Sequence, residues 1–190
     1  MTVPAEEKTL YLLRHPETEW NVEGRFQGRL DSRVTKKGRA ETLEFVEALK
    51  LEHVDVIYFA ENERTRFLAD AIARRFPDVE MRQDQRLNER DGGIHEGRLY
   101  IDIYGQDELA SDYTRRFIHK PPRGESYEML AKRVSELLLN VKKELLSGKV
   151  IIFVTSSGVI RSILRLEKKL SVKEMFELKI PNLSLIETRW

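Results

Sequence analysis

Apolar positions along the chain fall into two kinds of run. Thr9–Arg14 (TLYLLR) is short and dense, as in strands covered on both faces. Val54–Phe59 (VDVIYF) is β-branched and aromatic, the composition that strands favour. Val79–Arg82 is a shorter strand candidate, Val150–Thr155 (VIIFVT) the strongest, and Leu183–Thr188 (LSLIET) the last. Between these runs the period lengthens. Lys37–Lys50 carries apolar residues at 40, 43, 46 and 49. Glu63–Phe76 carries them at 68, 69, 72, 73 and 76 before Pro77 stops the pattern. Ser126–Leu146 is the longest helical pattern, closed by Gly148, and Gly158–Leu166 and Val172–Leu178 complete the series.

Strands alternating with helices predict an α/β protein, a three-layer α/β/α arrangement around a mostly parallel sheet. Residues 91–124 interrupt the alternation with glycines, Pro121-Pro122 and several aromatics. This excursion from the sheet is either a partial lid over a site or a long connection with a short helix. At 190 residues, one domain spanning 1–190 is expected.

Composition narrows the chemistry. The chain has no cysteine, which excludes disulfides, thiol nucleophiles and thiolate zinc sites. Its 33 basic and 32 acidic residues leave a net charge of +1, which argues against nucleic-acid partners. Its apolar runs fall far short of the ~18 residues that cross a bilayer. Met1–Lys8 is polar and lacks the apolar middle of a secretory signal. The expectation is a cytoplasmic protein with neither membrane nor nucleic-acid partner.

In open parallel sheets, ligands bind beyond the carboxyl ends of the strands. Arg14-His15, Phe59–Arg64 and Ser156–Gly158 each follow such an end. Their inventory suits an anion. Arg14 and Arg64 can fork onto phosphate oxygens, and Thr155–Gly158 opens a helix whose N–H groups can face the same ligand. His15 could attack phosphorus through a neutral ring nitrogen, and Glu89 could protonate the leaving oxygen. No metal ion or cofactor is required if arginines and N–H groups carry the charge. Singly these signals are weak, because most lone histidines are structural and most Arg–Glu pairs are surface pairs.

Their order changes the picture. Leu12–Asn21 (LLRHPETEWN) resembles the signature of the histidine phosphatase superfamily, which contains the cofactor-dependent phosphoglycerate mutases and many phosphomonoesterases. Phe26–Asp31 (FQGRLD), Val34–Gly38, Arg64-Thr65 with Ala69, and Leu87–Gly97 (LNERDGGIHEG) are similar to further blocks in the family's order. Gly124–Ser126 with Arg133, Val154–Arg161 (VTSSGVIR) and Ile180–Ser184 (IPNLS) continue the series over nearly the whole chain. The resemblance implies a phosphoglycerate mutase-like fold. It implies that Arg14, Asn21 and Arg64 bind phosphate and that His15 becomes phosphohistidine. Glu89 would be acid for the leaving group and then base for water. Gln27 and Gly28 would border the substrate site, Arg90 would hold a substrate carboxylate, and Arg115-Arg116 is similar to a mutase pair or is a solvated basic turn. Pro121-Pro122 runs almost directly into Gly124–Ser126, leaving little room for the mutase insertion and favouring the compact phosphatase branch.

The chain departs from the pattern at one central place. Ser156 occupies the position of the family's second histidine. Serine keeps a hydrogen-bond donor but loses charge and reach. Three explanations follow: an attenuated phosphatase acting on a small phosphorylated substrate, a non-catalytic relative, or a substitution made to trap a ligand. A non-catalytic relative would bind a phosphate ligand or serve as a partner subunit, as a homodimer or with an active paralogue. Mutase-type phosphoryl transfer remains an alternative to hydrolysis. His95 and His119 lie in the excursion and are the candidates to replace the missing imidazole. Pro16 replaces a small residue after the first histidine and either is harmless or restricts phosphate access. Phe59 and Ala60 leave fewer hydroxyls near Arg64.

Overall fold

The computed structural model describes residues 9–104 and 112–189; Met1–Lys8 and residues 105–111 of the excursion lie outside them. Five strands form one sheet in the order β3-β2-β4-β1-β5. They are β1 (Thr9–Arg14), β2 (Val56–Phe59), β3 (Glu80–Gln83), β4 (Ile151–Thr155) and β5 (Leu185–Arg189). The first four are parallel, and β5 pairs antiparallel with β1 at the edge.

Alternation along the strands decides the layers. Leu10, Leu12, Val56, Tyr58, Ile151 and Phe153 pack on one face with α6 (Tyr127–Leu146) and α7 (Ser157–Lys168). Leu13, Ile57, Phe59, Ile152 and Val154 pack on the other with α2 (Lys36–Ala48) and α3 (Glu63–Arg75). Every side chain of β2 and β4 is buried, which a strand manages only when helices cover both faces. The three-layer α/β/α architecture is therefore present.

Several boundaries differ from the sequence reading for local reasons. β2 begins two residues late, and just before it the Asp55 N–H donates to the Val150 carbonyl at 3.0 Å while the Asp55 carboxylate accepts the Val150 N–H at 2.7 Å. α2 ends at Ala48, where Arg75 of α3 donates to the carbonyls of Glu47 (2.6 Å) and Leu49 (2.7 Å) and satisfies the helix terminus. α7 runs on to Lys168 and stops when Lys169 turns left-handed at φ 52°. A five-residue helix, α1 (Glu19–Glu23), has no apolar period to announce it and ends at Gly24 with φ 69°. The described part of the excursion holds a 3-10 turn (Gly93–His95) and the short helices α4 (Tyr100–Tyr104) and α5 (Tyr113–Ile118). A last short helix, α8 (Val172–Glu177), packs against α5 and α7.

Candidate active site

The carboxyl ends of β1 and β4 lie side by side, so His15 and Ser156 meet there. The His15 N–H donates to the Thr155 carbonyl at 2.9 Å. The Asn182 amide, in the turn before β5, donates to the His15 carbonyl at 2.9 Å and to Asn21 Oδ1 at 3.2 Å. Asn21 Oδ1 also accepts the Thr18 N–H, which leaves the Asn21 amide nitrogen for the cavity that the residue lines.

His15 is 3% exposed, and its Nδ1 lies 2.7 Å from the Pro16 carbonyl. A carbonyl only accepts, so Nδ1 carries the hydrogen and Nε2 keeps its lone pair. Burial, and then the charges of Arg64 and Arg14, push this imidazole well below the ordinary 6.5, with the Pro16 carbonyl opposing weakly. The ring is neutral at pH 7. Pro16 is not a lining residue of the cavity; it orients the ring through its carbonyl.

The arginines are seated before any ligand arrives. The Arg64 side chain is fully buried and donates to the carbonyls of Leu30 (2.7 Å) and Gly28 (2.8 Å) and to Asp31 (2.6 Å). Arg14 Nη1 donates to the Ile180 carbonyl at 2.5 Å. Burial lowers the pKa of both guanidinium groups, opposed by Glu89 at Arg14 and by Asp31 at Arg64. The Nε atoms of Arg14 and Arg64 and the Ser156 Oγ are buried without a protein partner. Gly28 has φ 57°, and a Cβ there would lie 2.0 Å from Glu96 Oε1. That carboxylate fastens the loop by accepting the N–H groups of Arg29 (2.8 Å) and Gly92 (2.9 Å). Gln27, its amide oriented by its neighbours, donates to Thr18 Oγ1 at 3.1 Å and accepts from Arg64 Nη1 at 3.3 Å.

Glu89 completes the rim. Its Oε1 accepts the Arg90 N–H at 2.7 Å, and its Oε2 accepts the Gly158 N–H at 2.9 Å. The carboxylate thus sits on the first turn of α7, where a Cβ at Gly158 would come within 2.1 Å of it. Ser156 is the residue before that turn, 1% exposed, and its hydroxyl does not cap the helix.

These groups line a cavity of about 300 Å3. Its wall includes Arg14, Arg25, Arg64, Arg116 and Arg161, with Glu89 as the acidic member. His15, Asn21, Gln27, Gly28 and Ser156 are there as expected. Arg90 and Arg115 are not. Arg90 is buried between the Phe26 and Tyr127 rings, 5.0 and 4.7 Å from their centroids, and donates to the Glu125 carbonyl. Arg115 is exposed on α5, where Arg116 alone of the pair reaches the cavity. His95 is half-buried and His119 exposed, and neither lines the cavity, so neither replaces the missing imidazole. Arg25, Tyr100, Tyr127 and Arg161 are lining residues that the sequence reading did not single out. Arg161 had a signal, standing one helical turn after Ser157 on the same face of α7. Among the described residues no group of three His, Asp or Glu is placed to hold a metal ion, and no helix is long and apolar enough to cross a membrane.

Known proteins are similar to this chain in sequence and in fold. Phosphoserine phosphatase 1 of Hydrogenobacter thermophilus is 33% identical over 139 residues, which is 70% of this chain and 64% of that protein. The metal-independent phosphoserine phosphatase of Arabidopsis thaliana is 28% identical across 99% of this chain and 81% of its own length. The solved structure of Bacillus stearothermophilus YhfR superposes with a TM-score of 0.82 at 28% identity, covering 94% of this chain and 89% of that one. Residues 10–190 match the family model described as histidine phosphatase superfamily (branch 1), and the chain belongs to that superfamily.

Proposed function

We infer that the chain is a phosphomonoesterase that needs no metal ion and works through a phosphohistidine at His15. One observation carries this reading. A neutral His15 lines one cavity together with Arg14, Asn21, Arg64 and Ser156. Guanidinium, amide and hydroxyl groups gathered beside an imidazole lone pair suit the oxygens of one phosphoryl group.

The reaction follows in two displacements. The Nε2 lone pair of His15 attacks phosphorus, the P–O bond to the alcohol breaks, and Glu89 gives its proton to the departing oxygen. Water then attacks the phosphohistidine, loses its proton to Glu89, and the P–N bond breaks to return the pair to Nε2. Each Glu89 oxygen accepts one backbone N–H, so each keeps a lone pair able to hold the proton. The arginine-rich wall suits a small ester with a second anionic group, such as a phosphorylated amino acid. The relatives named phosphoserine phosphatase point the same way. The mutase reading loses a support, since Arg90 is held away from the cavity.

Ser156 attenuates this enzyme. Losing one preorganised donor to the transferring group costs roughly 100- to 1,000-fold in rate. The same substitution favours a second reading, a phosphate-ligand binder acting alone or beside an active paralogue. Hydrolysis of p-nitrophenyl phosphate, with and without EDTA, tests the first reading against His15→Ala. Turnover that EDTA spares and His15→Ala abolishes is expected, and turnover surviving the alanine overturns the mechanism. Calorimetric phosphate binding without any turnover is the outcome that establishes the second.

A further inference from the structure

Gly124–Ser126 and Arg133 belong to the blocks of the family resemblance and do not line the cavity, yet Glu125 and Arg133 converge on the segment that carries Glu89. Arg133, on α6, reaches that segment twice, donating from Nη1 to the Arg86 carbonyl at 2.7 Å and from Nη2 to the Glu89 carbonyl at 3.2 Å. The same guanidinium forks onto Glu125, with Nε 2.7 Å from Oε1 and Nη2 2.8 Å from Oε2. Both partners are largely buried, their side chains 16% and 8% exposed. Glu125 in turn holds the next stretch of the loop. Its N–H donates to the Asp91 carbonyl at 2.8 Å, its carbonyl accepts from Arg90, and its Oε2 accepts the Asp91 N–H at 3.3 Å. The sheet side is tied separately, by Thr155 Oγ1 on the Leu87 carbonyl and by Asn88 with Glu61.

We propose that Arg133, locked by Glu125, is the positioning residue for Glu89 as proton donor to the leaving group. This rests on the phosphohistidine reading above. Arg133 bonds the backbone on either side of the Leu87–Asn88 turn, at Arg86 and at Glu89 itself, so it fixes where that carboxyl group stands above the cavity. A buried ion pair is weak evidence for stability. Its planar fork, satisfied on four oxygens from three residues, is instead a geometric device. Lysine keeps the charge but cannot span those oxygens.

The leaving group supplies the test. An alkyl phosphate needs a proton on its departing oxygen, whereas p-nitrophenolate leaves without one, so misplacing Glu89 penalises the first far more. The rates of O-phosphoserine and p-nitrophenyl phosphate hydrolysis are compared for the parent, Glu89→Gln, Arg133→Lys and Arg133→Met. The same set is repeated on a Ser156→His background so that low turnover does not hide the ratio. Circular dichroism checks folding. The expected result is that Arg133→Lys and Arg133→Met lower the phosphoserine rate relative to the nitrophenyl rate by roughly 30- to 100-fold, in the direction of Glu89→Gln. KM for either ester should stay near the parent value. An unchanged ratio in folded Arg133→Lys, with Glu89→Gln still shifting it, overturns the proposal alone. An unchanged ratio in Glu89→Gln, or no turnover on either background, overturns the reading on which it rests.

Discussion

Replacing Ser156 by histidine isolates the one departure at the centre of the site. The Ser156 hydroxyl has no partner and does not cap α7, so the exchange forfeits no hydrogen bond within the protein. The loss of ~1 kcal/mol usual when an N-cap serine is replaced therefore does not apply. The gain is a donor long enough to reach a phosphoryl oxygen and able to carry charge, worth roughly 100- to 1,000-fold in kcat, or about 2.7–4 kcal/mol of transition-state stabilisation. Room for the ring comes from the 300 Å3 cavity that Ser156 borders. Release of inorganic phosphate from O-phosphoserine, in EDTA, gives the rate for parent and Ser156→His. Folded Ser156→His that binds phosphate as the parent does, yet turns over within about 3-fold of it, refutes the reasoning that one donor limits the site.

Three further outcomes follow from the same geometry. Since the His15 pKa is depressed in the fold, the unfolded chain binds more protons between that value and 6.5, so stability should fall as pH drops through 6.5. Urea unfolding from neutral to acid pH should show this, and His15→Ala should remove part of the slope. Arg64→Met should weaken inorganic phosphate binding by about 10- to 100-fold, the worth of a charge-assisted hydrogen bond; calorimetry giving an unchanged Kd contradicts the phosphate role. Gly158→Ala should separate stability from turnover: alanine is ~1 kcal/mol the better residue within a helix, but its Cβ displaces the Glu89 carboxylate. Tm should hold or rise while phosphoserine hydrolysis falls about 10-fold or more, and equal loss in both contradicts the placement of Glu89.

What the sequence revealed depended on how local the cause was. Strands buried on both faces announce themselves by density, so β1 and β4 were legible almost to the residue. The start of β2 was not, because the apolar run begins at Val54, two residues before the strand at Val56. α1 was invisible because its five residues bury nothing. In the site the same division holds. His15 and Ser156 stand directly after strands and Arg64 in the first turn of the helix that follows β2, and topology carries them to one rim. Arg25 and Tyr100 come together only through contacts between distant segments, such as the Arg25–Leu99 bridge, which no local pattern encodes.

Glu89 and Arg90 show why adjacency in sequence is a poor guide to a shared task. The N-terminus of α7 draws the Glu89 carboxylate to the cavity, while the Phe26 and Tyr127 rings hold the Arg90 guanidinium behind its wall. Both rings also line the cavity, so Arg90 bears on the site by stiffening that wall and by fixing Glu125 through its carbonyl. Ser156 illustrates the converse. Sequence resemblance identifies what is missing there, but only the fold shows that its hydroxyl, Arg14 Nε and Arg64 Nε are all unpaired around a neutral imidazole. A cavity walled by arginines beside a neutral imidazole is what supports the proposal that phosphate binds here, and calorimetry with inorganic phosphate tests it apart from any turnover.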